Sequence, residues 1–234
     1  MKADIYGSRS FMMALIDIKD EINIDLTNSF IGTNLASQEC KEVPISKNRM
    51  KRIVSEYELI EIRTDLSKRL RRFKNFKESN IIFIDFMHEG KDLLDVHNGT
   101  IVDRPVLKRY GYDLSKAKLT NIDRIKNIEK NIDDLLEYIS NYKVVILVKM
   151  RNPKYIEGKN GTSKLKKDFH QINKLNSFAE MCEDLLADKM PDIPIVELYK
   201  DLNDLRDGYQ KTPQFKKYLK EEVNTIINIH KNYL

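Results

Sequence analysis

An unbroken apolar run, Ile81–Ile84, is the feature that most constrains how this chain of 234 residues can fold. A strand with one face in water alternates apolar and polar residues, whereas a strand covered on both faces is apolar at every position. A second run, Val144–Val148, has the same character. Because strands of this kind occur almost only in parallel sheets with helices on both faces, the two runs predict an α/β protein.

A short, mainly apolar stretch at the N-terminus, Ala3–Tyr6, predicts a first strand that stops at Gly7 and Ser8. Glycine allows a sharp turn of the backbone, and ligands bind outside the carboxyl ends of the strands in open α/β sheets. Ser8 is therefore a candidate site residue, with its hydroxyl at that edge. The alternative is an ordinary strand-ending turn in which Ser8 caps the residues that follow.

The rest of the chain alternates helical periodicity with one more short strand, which predicts a single domain, residues 1–234, with a three-layer, doubly wound parallel sheet of flavodoxin-like type. The predicted helices are Asn48–Lys74, with a break of period near Glu58–Ile62, then Asn121–Tyr138, Lys164–Asp188, and a last helix capped by Thr212 and opened by Pro213. The last strand is predicted at Pro194–Leu198. The crossovers should be right-handed.

Three polar stretches are predicted to be loops: residues 17–47, 91–118 and 154–163. The stretch Arg9–Ile16 is apolar but follows Ser8 directly, and a pair of parallel strands needs a connection of about a dozen residues. We therefore expect Arg9–Ile16 to be a helix or loop packed at the sheet edge, or residues to be missing between Ser8 and Arg9.

Polar residues follow both apolar runs, at the edge of the sheet where the Gly-Ser turn is expected. Asp85, His88 and Glu89 come after the first run, and Arg151 and Asn152 follow the second. Because the carboxyl ends of parallel strands lie on one edge, these residues are candidates for a site. Two alternatives stay open: Asp85 caps the next turn, and the basic residues either bind an anionic group or reach solvent.

The charges of the chain are interspersed and nearly balanced, with Lys+Arg 41 against Asp+Glu 36 and a net charge of +5. This balance does not favour nucleic-acid binding. One basic cluster, Lys68–Lys74, continues a helical pattern. We interpret it as a solvated helix face, with an anion-binding surface as the alternative.

Cysteine usage and the N-terminal sequence are those of an ordinary cytoplasmic protein. Cys40 and Cys182 lack the spacing of a zinc site, so we expect no metal site, no disulfide framework and no other cofactor. The N-terminus has no basic segment followed by a long apolar one, and no apolar run approaches the roughly 18 residues that span a bilayer. We therefore expect a cytoplasmic location and no integral membrane segment.

The order of several short motifs resembles a family of bacterial SGNH-hydrolase-like proteins, often found beside capsule and cell-surface polysaccharide genes, whose members open with a strand ending in Gly-Ser-Cys and then Arg-Asp. The resemblance covers nearly the whole chain. Its motifs here are Ile5–Ser8, Arg9–Phe11, Asn48–Met50, Ile84 and Asp85 followed by Glu89, Asn173 with Asn176, and Asp204 with Pro213.

The resemblance implies an SGNH-like α/β fold and acyl-ester chemistry. Members use a serine at the end of the first strand as nucleophile, backbone N–H groups with Asn or Gly donors as an oxyanion hole, and an Asp-x-x-His near the C-terminus as the base. A hydroxyl is a weak nucleophile until a base takes its proton, and the tetrahedral oxyanion needs fixed donors. The candidate catalytic residues of this chain are Ser8, Asp85, His88 and Asp204, and the candidate substrate-binding residues are Arg9, Ser10, Glu89, Arg151 and Asn152.

The chain departs from the family pattern in two places. The Cys-x-x-Arg-Asp portion expected after the first Gly-Ser is missing, and Asp207 stands where a histidine would complete the motif that Asp204 begins. Either the base comes from elsewhere or it is gone. His88 and His170 are the candidate replacements, and His88 is favoured because it follows the middle strand closely and should lie on the edge of Ser8.

Two functions are consistent with these residues. The first is an esterase or O-acetyltransferase that acts on a cell-surface polysaccharide or its precursor, with Ser8 attacking the acyl carbon. The second is a catalytically degenerate relative that binds a carbohydrate or a partner protein of the same pathway. The missing histidine favours the second function, and the retained Gly7 and Ser8 favour the first. In both cases Ser8 should lie within roughly 15 Å of Asp85, about three strand spacings.

Overall fold

The structure of the chain is a computed structural model that describes residues 1–70, 78–96, 99–109, 111–157, 163–198 and 212–233. Its strands are β1 (Lys2–Gly7), β2 (Asp25–Ile31), β3 (Ile81–Ile84), β4 (Leu93–Val96), β5 (Gly99–Val102), β6 (Lys118–Leu119), β7 (Val144–Lys149), β8 (Tyr155–Glu157), β9 (Ser163–Leu165) and β10 (Ile195–Glu197). Its α-helices are α1 (Arg9–Ile18), α2 (Lys47–Met50), α3 (Glu56–Leu66), α4 (Pro105–Arg109), α5 (Arg124–Ile139), α6 (Phe169–Lys189) and α7 (Pro213–Ile229). Short 3-10 helices cover Leu35–Ser37 and Lys231–Tyr233.

A five-stranded parallel sheet lies at the centre, in the order β10-β7-β3-β1-β2. The apolar run Ile81–Ile84 is β3, the middle strand. Its residues alternate between the two faces: Ile81 and Phe83 pack in the hydrophobic cluster that includes α1 and α7, whereas Ile82 and Ile84 pack in the cluster that includes α5 and α6. This burial on both faces explains why every position of the run is apolar.

The predicted doubly wound α/β fold is confirmed, because helices cover both faces of a parallel sheet whose strand order follows the flavodoxin-like pattern. The strands predicted around β3, β7 and β10 are present, as are the helices predicted around α5, α6 and α7. The predicted start of α7 is also confirmed. The Oγ1 of Thr212 accepts a hydrogen bond from the N of Phe215, and Pro213 occupies the first turn.

Residues 17–47 are largely irregular, as predicted, but they also contain the strand β2, which was not predicted. This strand lies at the edge of the sheet beside β1, and only its last two residues, Phe30 and Ile31, are buried. An edge strand has one open side, so it needs fewer apolar residues than a middle strand. The polar residues of the first part of β2 therefore hid the strand from a search for apolar runs.

Of the alternatives for Arg9–Ile16, the helix is confirmed, and it packs on a face of the sheet and not at its edge. Helix α1 begins at Arg9, directly after its N-cap Ser8, and it is the crossover between β1 and the parallel strand β2. The apolar residues of Arg9–Ile16 form the buried face of this helix. No further helix is needed between the two motifs, because α1 and the turn after it supply the connection that parallel strands require.

Residues 48–74 do not form one helix. Lys51–Ser55 separates α2 from α3, and Val54 in this segment is 91% exposed. The break therefore precedes the position expected near Glu58–Ile62. Residues 71–77 lie outside the described residues.

Two of the predicted loops contain short strands. Within residues 91–118, β4 pairs with β5 and β6 in a small antiparallel sheet. Near residues 154–163, β8 pairs with β9 as an antiparallel hairpin. Strands this short offer too few positions for an alternating pattern to stand out in the sequence.

Lys68 is not on a solvated helix face, as the basic cluster had suggested. Its side chain is buried, and its Nζ lies 3.2 Å from Ser37 Oγ and 3.3 Å from Asp65 Oδ1. A buried charge is tolerated when it has an opposite charge and hydrogen bonds, so Lys68 forms a structural ion pair. The remainder of the cluster from residue 71 onward lies outside the described residues.

A buried carboxylate joins the strands near their amino ends. Asp4 of β1 accepts hydrogen bonds from the N of Asn28 at 3.0 Å, from Ser79 Oγ at 2.6 Å and from the hydroxyl of Tyr142. Asn28 belongs to β2, whereas the other two donors stand just before β3 and β7. One side chain therefore ties β1 to three other strands of the sheet.

Replacing Asp4 with alanine should lower the free energy of unfolding by about 2 kcal/mol or more, because the buried Ser79 hydroxyl and the partly buried N–H of Asn28 lose their acceptor and Tyr142 keeps only Tyr138 as a partner. Urea denaturation followed by circular dichroism measures this loss. The control is Asp25→Ala, at the exposed start of β2, which should change the free energy by less than about 0.5 kcal/mol. Equal losses in the two variants would contradict the linking role of Asp4.

Candidate active site

The carboxyl ends of β1 and β3 meet so closely at Gly7 that no side chain fits there. Gly7 has a φ of +148°, and a Cβ atom at this position would lie 2.1 Å from Asp85 Oδ2 and 2.7 Å from the Asp85 carbonyl oxygen. Glycine adopts such a φ without steric cost. The turn expected at Gly7 is therefore also what brings Asp85 against the start of α1.

Ser8 lies between β1 and α1 and is fully buried. Its N donates to Asp85 Oδ2 at 2.7 Å, and its Oγ accepts a hydrogen bond from the N of Phe11 at 3.1 Å. The prediction that Ser8 lies near Asp85 is confirmed. The alternative that Ser8 caps the following residues is confirmed as well, and catalysis by Ser8 stays a prediction.

Asp85 is a buried carboxyl at the end of the middle strand. Its Oδ1 accepts a hydrogen bond from the N of Met87 at 3.1 Å, so Asp85 caps the next turn as well as binding Ser8. Burial raises the pKa of Asp85 to about 6, although hydrogen bonds from Ser8 and Met87 act to lower it. A carboxyl with this pKa is largely ionised at pH 7 and can accept a proton near neutral pH.

Glu89 joins β1, the turn after β3 and the 3-10 helix that follows β2. Its Oε1 accepts a hydrogen bond from the hydroxyl of Tyr6 at 2.8 Å, and its Oε2 accepts one from the N of Leu35 at 2.8 Å. Burial raises the pKa of Glu89 to about 8, and these two hydrogen bonds only partly oppose the shift. Glu89 is therefore mostly protonated at pH 7, and both of its oxygens are engaged within the fold.

His88 lies in the turn after β3 and is almost fully buried. Its Nε2 is 3.2 Å from Lys91 Nζ and 3.6 Å from Glu61 Oε1, and its Nδ1 is buried without a hydrogen-bond partner among the described residues. Burial and the charge of Lys91 lower the pKa of His88 to about 4, so its ring is neutral at pH 7. Neither ring nitrogen bonds to Ser8, so a role as its base stays a prediction that no direct contact supports.

The sequence did not reveal Glu61 and Arg104, which pack beside His88. Glu61 Oε1 on α3 lies 3.1 Å from a terminal nitrogen of Arg104. Gly32, with a φ of +70°, leaves the room for this pair, because a Cβ at Gly32 would lie 2.1 Å from Glu61 Cγ. Burial raises the pKa of Glu61, but the interactions with His88 and Arg104 outweigh it and lower the value to about 2. No motif marks either residue.

Arg9 and Ser10 are the predicted substrate-binding residues that solvent reaches most readily. Arg9 is partly exposed and its guanidinium lies 3.7 Å from Glu58 Oε1 on α3. Ser10 is exposed in the first turn of α1. Their position beside buried Ser8 is compatible with contact to a bound molecule, and a role in binding stays a prediction.

Arg151 and Asn152 are held against α6. Two guanidinium nitrogens of Arg151 lie 2.6 Å and 2.7 Å from the two carboxylate oxygens of Glu183. The N of Asn152 donates to Asn176 Oδ1 at 2.8 Å. The interpretation that Arg151 reaches solvent is wrong, because it is 5% exposed. These contacts fix the loop after β7, and a role in substrate binding stays a prediction.

Asp204 and Asp207 lie outside the described residues, so the structure does not place them. His170, the other candidate base, is exposed in the first turn of α6, with its ring centroid 3.7 Å from that of Phe169. It does not lie in the buried cluster around Ser8.

Within the described ranges, no group of three or more His, Cys, Asp or Glu residues is arranged to hold a metal ion. None of the helices in those ranges is both long and apolar enough to cross a bilayer.

No family model and no curated protein matches the chain. It is similar to the structure of a GDSL-like lipase from Bacteroides thetaiotaomicron VPI-5482, with a TM-score of 0.45 and 12% identity over 97% of this chain and 87% of that one. It is also similar to a candidate acylhydrolase from Bacteroides fragilis NCTC 9343, with a TM-score of 0.45 and 13% identity over 100% of this chain and 88% of that one.

At this TM-score and identity, the likeness carries no conclusion about the chemistry of this chain. The α/β fold itself follows from the strand order and helix packing described above.

Glu89→Gln should flatten the pH dependence of stability between about pH 4.5 and 8. The folded protein holds the Glu89 proton up to about pH 8, whereas the unfolded chain releases it near pH 4.5, so this group stabilises the fold below pH 4.5 and the contribution is lost as the pH rises through 8. A glutamine amide has a donor for the oxygen of Tyr6 and an acceptor for the N of Leu35, and it does not ionise.

Urea denaturation from pH 4.5 to 8.5 measures this effect. One unit of pKa shift corresponds to about 1.4 kcal/mol, so the parent should lose at least about 1 kcal/mol more than Glu89→Gln across this range. Glu56→Gln, on the exposed start of α3, is the control and should follow the parent. If Glu89→Gln also follows the parent, the assigned titration of Glu89 is wrong.

Proposed function

We propose that the chain is an esterase or O-acetyltransferase that acts on a cell-surface polysaccharide or its precursor, with Ser8 as the nucleophile. The observation that carries this proposal is the contact between Ser8 and Asp85. A serine at the end of a strand and the start of a helix lies against a buried carboxyl whose pKa of about 6 suits proton transfer near neutral pH.

Asp85 is the described group best placed to take the hydroxyl proton of Ser8, because a base must reach that proton directly or through one water. The Ser8 oxygen would then attack the acyl carbon, and the collapse of the tetrahedral intermediate would release the alcohol with a proton and leave an acyl-serine. Water or a sugar hydroxyl would accept the acyl group in the second half. His88 and Asp204 stay candidates for a second proton carrier.

The oxyanion formed in this reaction would need N–H donors, and one candidate donor, the N–H of Ser8, already binds Asp85. The N of Ser8 points at Asp85 Oδ2 in the structure. Protonation of Asp85 during attack removes its negative charge and weakens this bond, which would make the Ser8 N–H available to the oxyanion. Asp85 would thus both accept the hydroxyl proton of Ser8 and control whether the Ser8 N–H can bind the oxyanion.

The polysaccharide substrate rests on the resemblance to proteins found beside capsule and cell-surface polysaccharide genes. Arg9 and Ser10 are proposed to contact it, because they are the partly exposed and exposed residues next to Ser8. Glu89, Arg151 and Asn152 would contribute by holding the surrounding turns in place through the contacts described above.

A second function, binding without catalysis, is favoured by the complete burial of Ser8. Its side chain is 0% exposed, its Oγ caps α1 and its N binds Asp85. A nucleophile has to meet its substrate, so catalysis requires a rearrangement that admits the acyl group. In the alternative, the chain keeps the scaffold and binds a carbohydrate or a partner protein through other surfaces.

Ser8→Ala should abolish hydrolysis of a small acetyl ester such as p-nitrophenyl acetate, because the nucleophile is lost. Asp85→Asn should lower kcat on the order of 100-fold or more if Asp85 is the base, and His88→Gln should do so if His88 is. The control is Ser177→Ala, at an exposed position of α6, which should leave the hydrolysis of this small ester unchanged.

Ser8→Ala also removes an N-cap, which costs about 1 kcal/mol of stability, so thermal unfolding of each variant must be measured beside activity. Unchanged activity in folded Ser8→Ala, or no hydrolysis by the parent across a broad panel of acetyl esters, would rule out the esterase proposal and favour the binding function.

A further inference from the structure

Lys91 is a partly buried lysine in the turn after β3 whose ammonium group forms no ion pair with a carboxylate in the described part of the chain. Its side chain contacts His88, with Nζ 3.2 Å from Nε2. Most other lysines that form a side-chain contact in the described part of the chain face an acidic partner. Lys174, whose Nζ lies 3.8 Å from Asp92 Oδ1, is an example. A cation that is partly removed from water without a counter-ion is costly to the fold.

Unsatisfied polar groups surround the contact between Lys91 and His88. An ammonium group can only donate hydrogen bonds, so Nε2 of His88 accepts when it bonds to Lys91, and the same nitrogen lies 3.6 Å from Glu61 Oε1. Nδ1 of His88 is buried without a hydrogen-bond partner in the described part of the chain. All three nitrogens of the neighbouring Arg104 guanidinium are likewise buried without a hydrogen bond, although Arg104 has ion pairs with Glu61 and Asp65. The guanidinium therefore adds unsatisfied donors to this cluster.

The charges around Lys91 come from three parts of the fold, α3, the end of β3 and the segment after β5, and they do not cancel at its ammonium group. Burial lowers the pKa of Lys91, Arg104 after β5 adds to this, and Glu61 on α3, Asp85 at the end of β3 and Asp103 oppose it. A net lowering means that the acidic neighbours do not compensate for desolvation. Ionisable groups with shifted pKa values are common at binding sites, where a ligand can supply the opposite charge that the fold does not provide.

We propose that Lys91, held by His88, binds an anionic group of the substrate, a carboxylate or a phosphate, beside Ser8. The inference rests on the proposed function and gives it a substrate class: an acylated acidic sugar or an acylated sugar phosphate. Lys91 lies in the turn that begins at Asp85: the N of Lys91 donates to the carbonyl oxygen of His88 at 3.1 Å, Asp85 Oδ1 accepts a hydrogen bond from the N of Met87, and Asp85 Oδ2 contacts Ser8. The anionic group would therefore lie close to the acyl group that Ser8 attacks.

Isothermal titration calorimetry tests this with three probes: inorganic phosphate, glucuronate and neutral glucose. The parent should bind phosphate, glucuronate or both, and bind glucose at least 10-fold more weakly. Lys91→Gln should weaken anion binding at least 10-fold. Lys174→Gln is the matched control, because it removes an exposed lysine that already has Asp92 as a partner, and it should bind as the parent does.

Ring ¹⁵N shifts of histidine-labelled protein give a second measurement, with His88→Gln assigning the signal. Anion binding should move the His88 signals in the parent and leave them unchanged in Lys91→Gln. Lys91→Arg, which keeps the charge, should restore at least part of the binding, and it covers the case in which Lys91→Gln does not fold.

Binding of phosphate alone would identify the ligand as a sugar phosphate, and binding of glucuronate alone would identify an acidic sugar. No anion binding by the parent, equal binding of glucose, or equal anion binding by folded Lys91→Gln would overturn the inference. An active esterase without anion binding would refute the role of Lys91 but not the proposed function, whereas anion binding without any esterase activity would refute the esterase function and leave the Lys91 site as a binding site.

Discussion

The close approach of β1 and β3 at Gly7 is the constraint on which the rest of the site depends. A Cβ at Gly7 would lie 2.1 Å from Asp85 Oδ2, so only a residue without a side chain lets the carboxylate reach the start of α1. Asp85 can then bind the N of Ser8 while Ser8 caps the helix. A single steric condition therefore fixes the positions of a candidate nucleophile, a candidate base and the first helix.

The two ends of the sheet satisfy their buried carboxyls in different ways. Near the amino ends, Asp4 accepts hydrogen bonds from the N of Asn28 and from the hydroxyls of Ser79 and Tyr142, which link β1 to other strands. At the carboxyl edge, Asp85 and Glu89 have raised pKa values because burial is only partly offset. Carboxyls that titrate near neutral pH can exchange protons during a reaction, which distinguishes the carboxyl edge from a purely structural network.

Much of the fold could be predicted from the sequence, because strands that are buried on both faces are apolar at every position. The apolar runs of β3 and β7 and the helical periodicity of α5 can be recognised in the sequence without knowing which elements they pack against. Strand β2 does not, since an edge strand can carry polar residues and is recognisable only by its pairing with β1. The short strands within residues 91–118 are hidden for a related reason: their pairing, and not their composition, makes them strands.

The sequence by itself determined the α/β class, the turn at Gly7 and Ser8, and the placement of Asp85, His88 and Glu89 after the middle strand, because these follow from local patterns and the rule for parallel strands. Only the tertiary structure decided what these side chains contact. Glu61 on α3 and Arg104 after β5 reach His88 from distant segments, whereas Lys91 is only three residues from His88. Electrostatic surroundings arise from residues far apart in the chain, so the pKa values and the unpaired cation could not be found by reading along it.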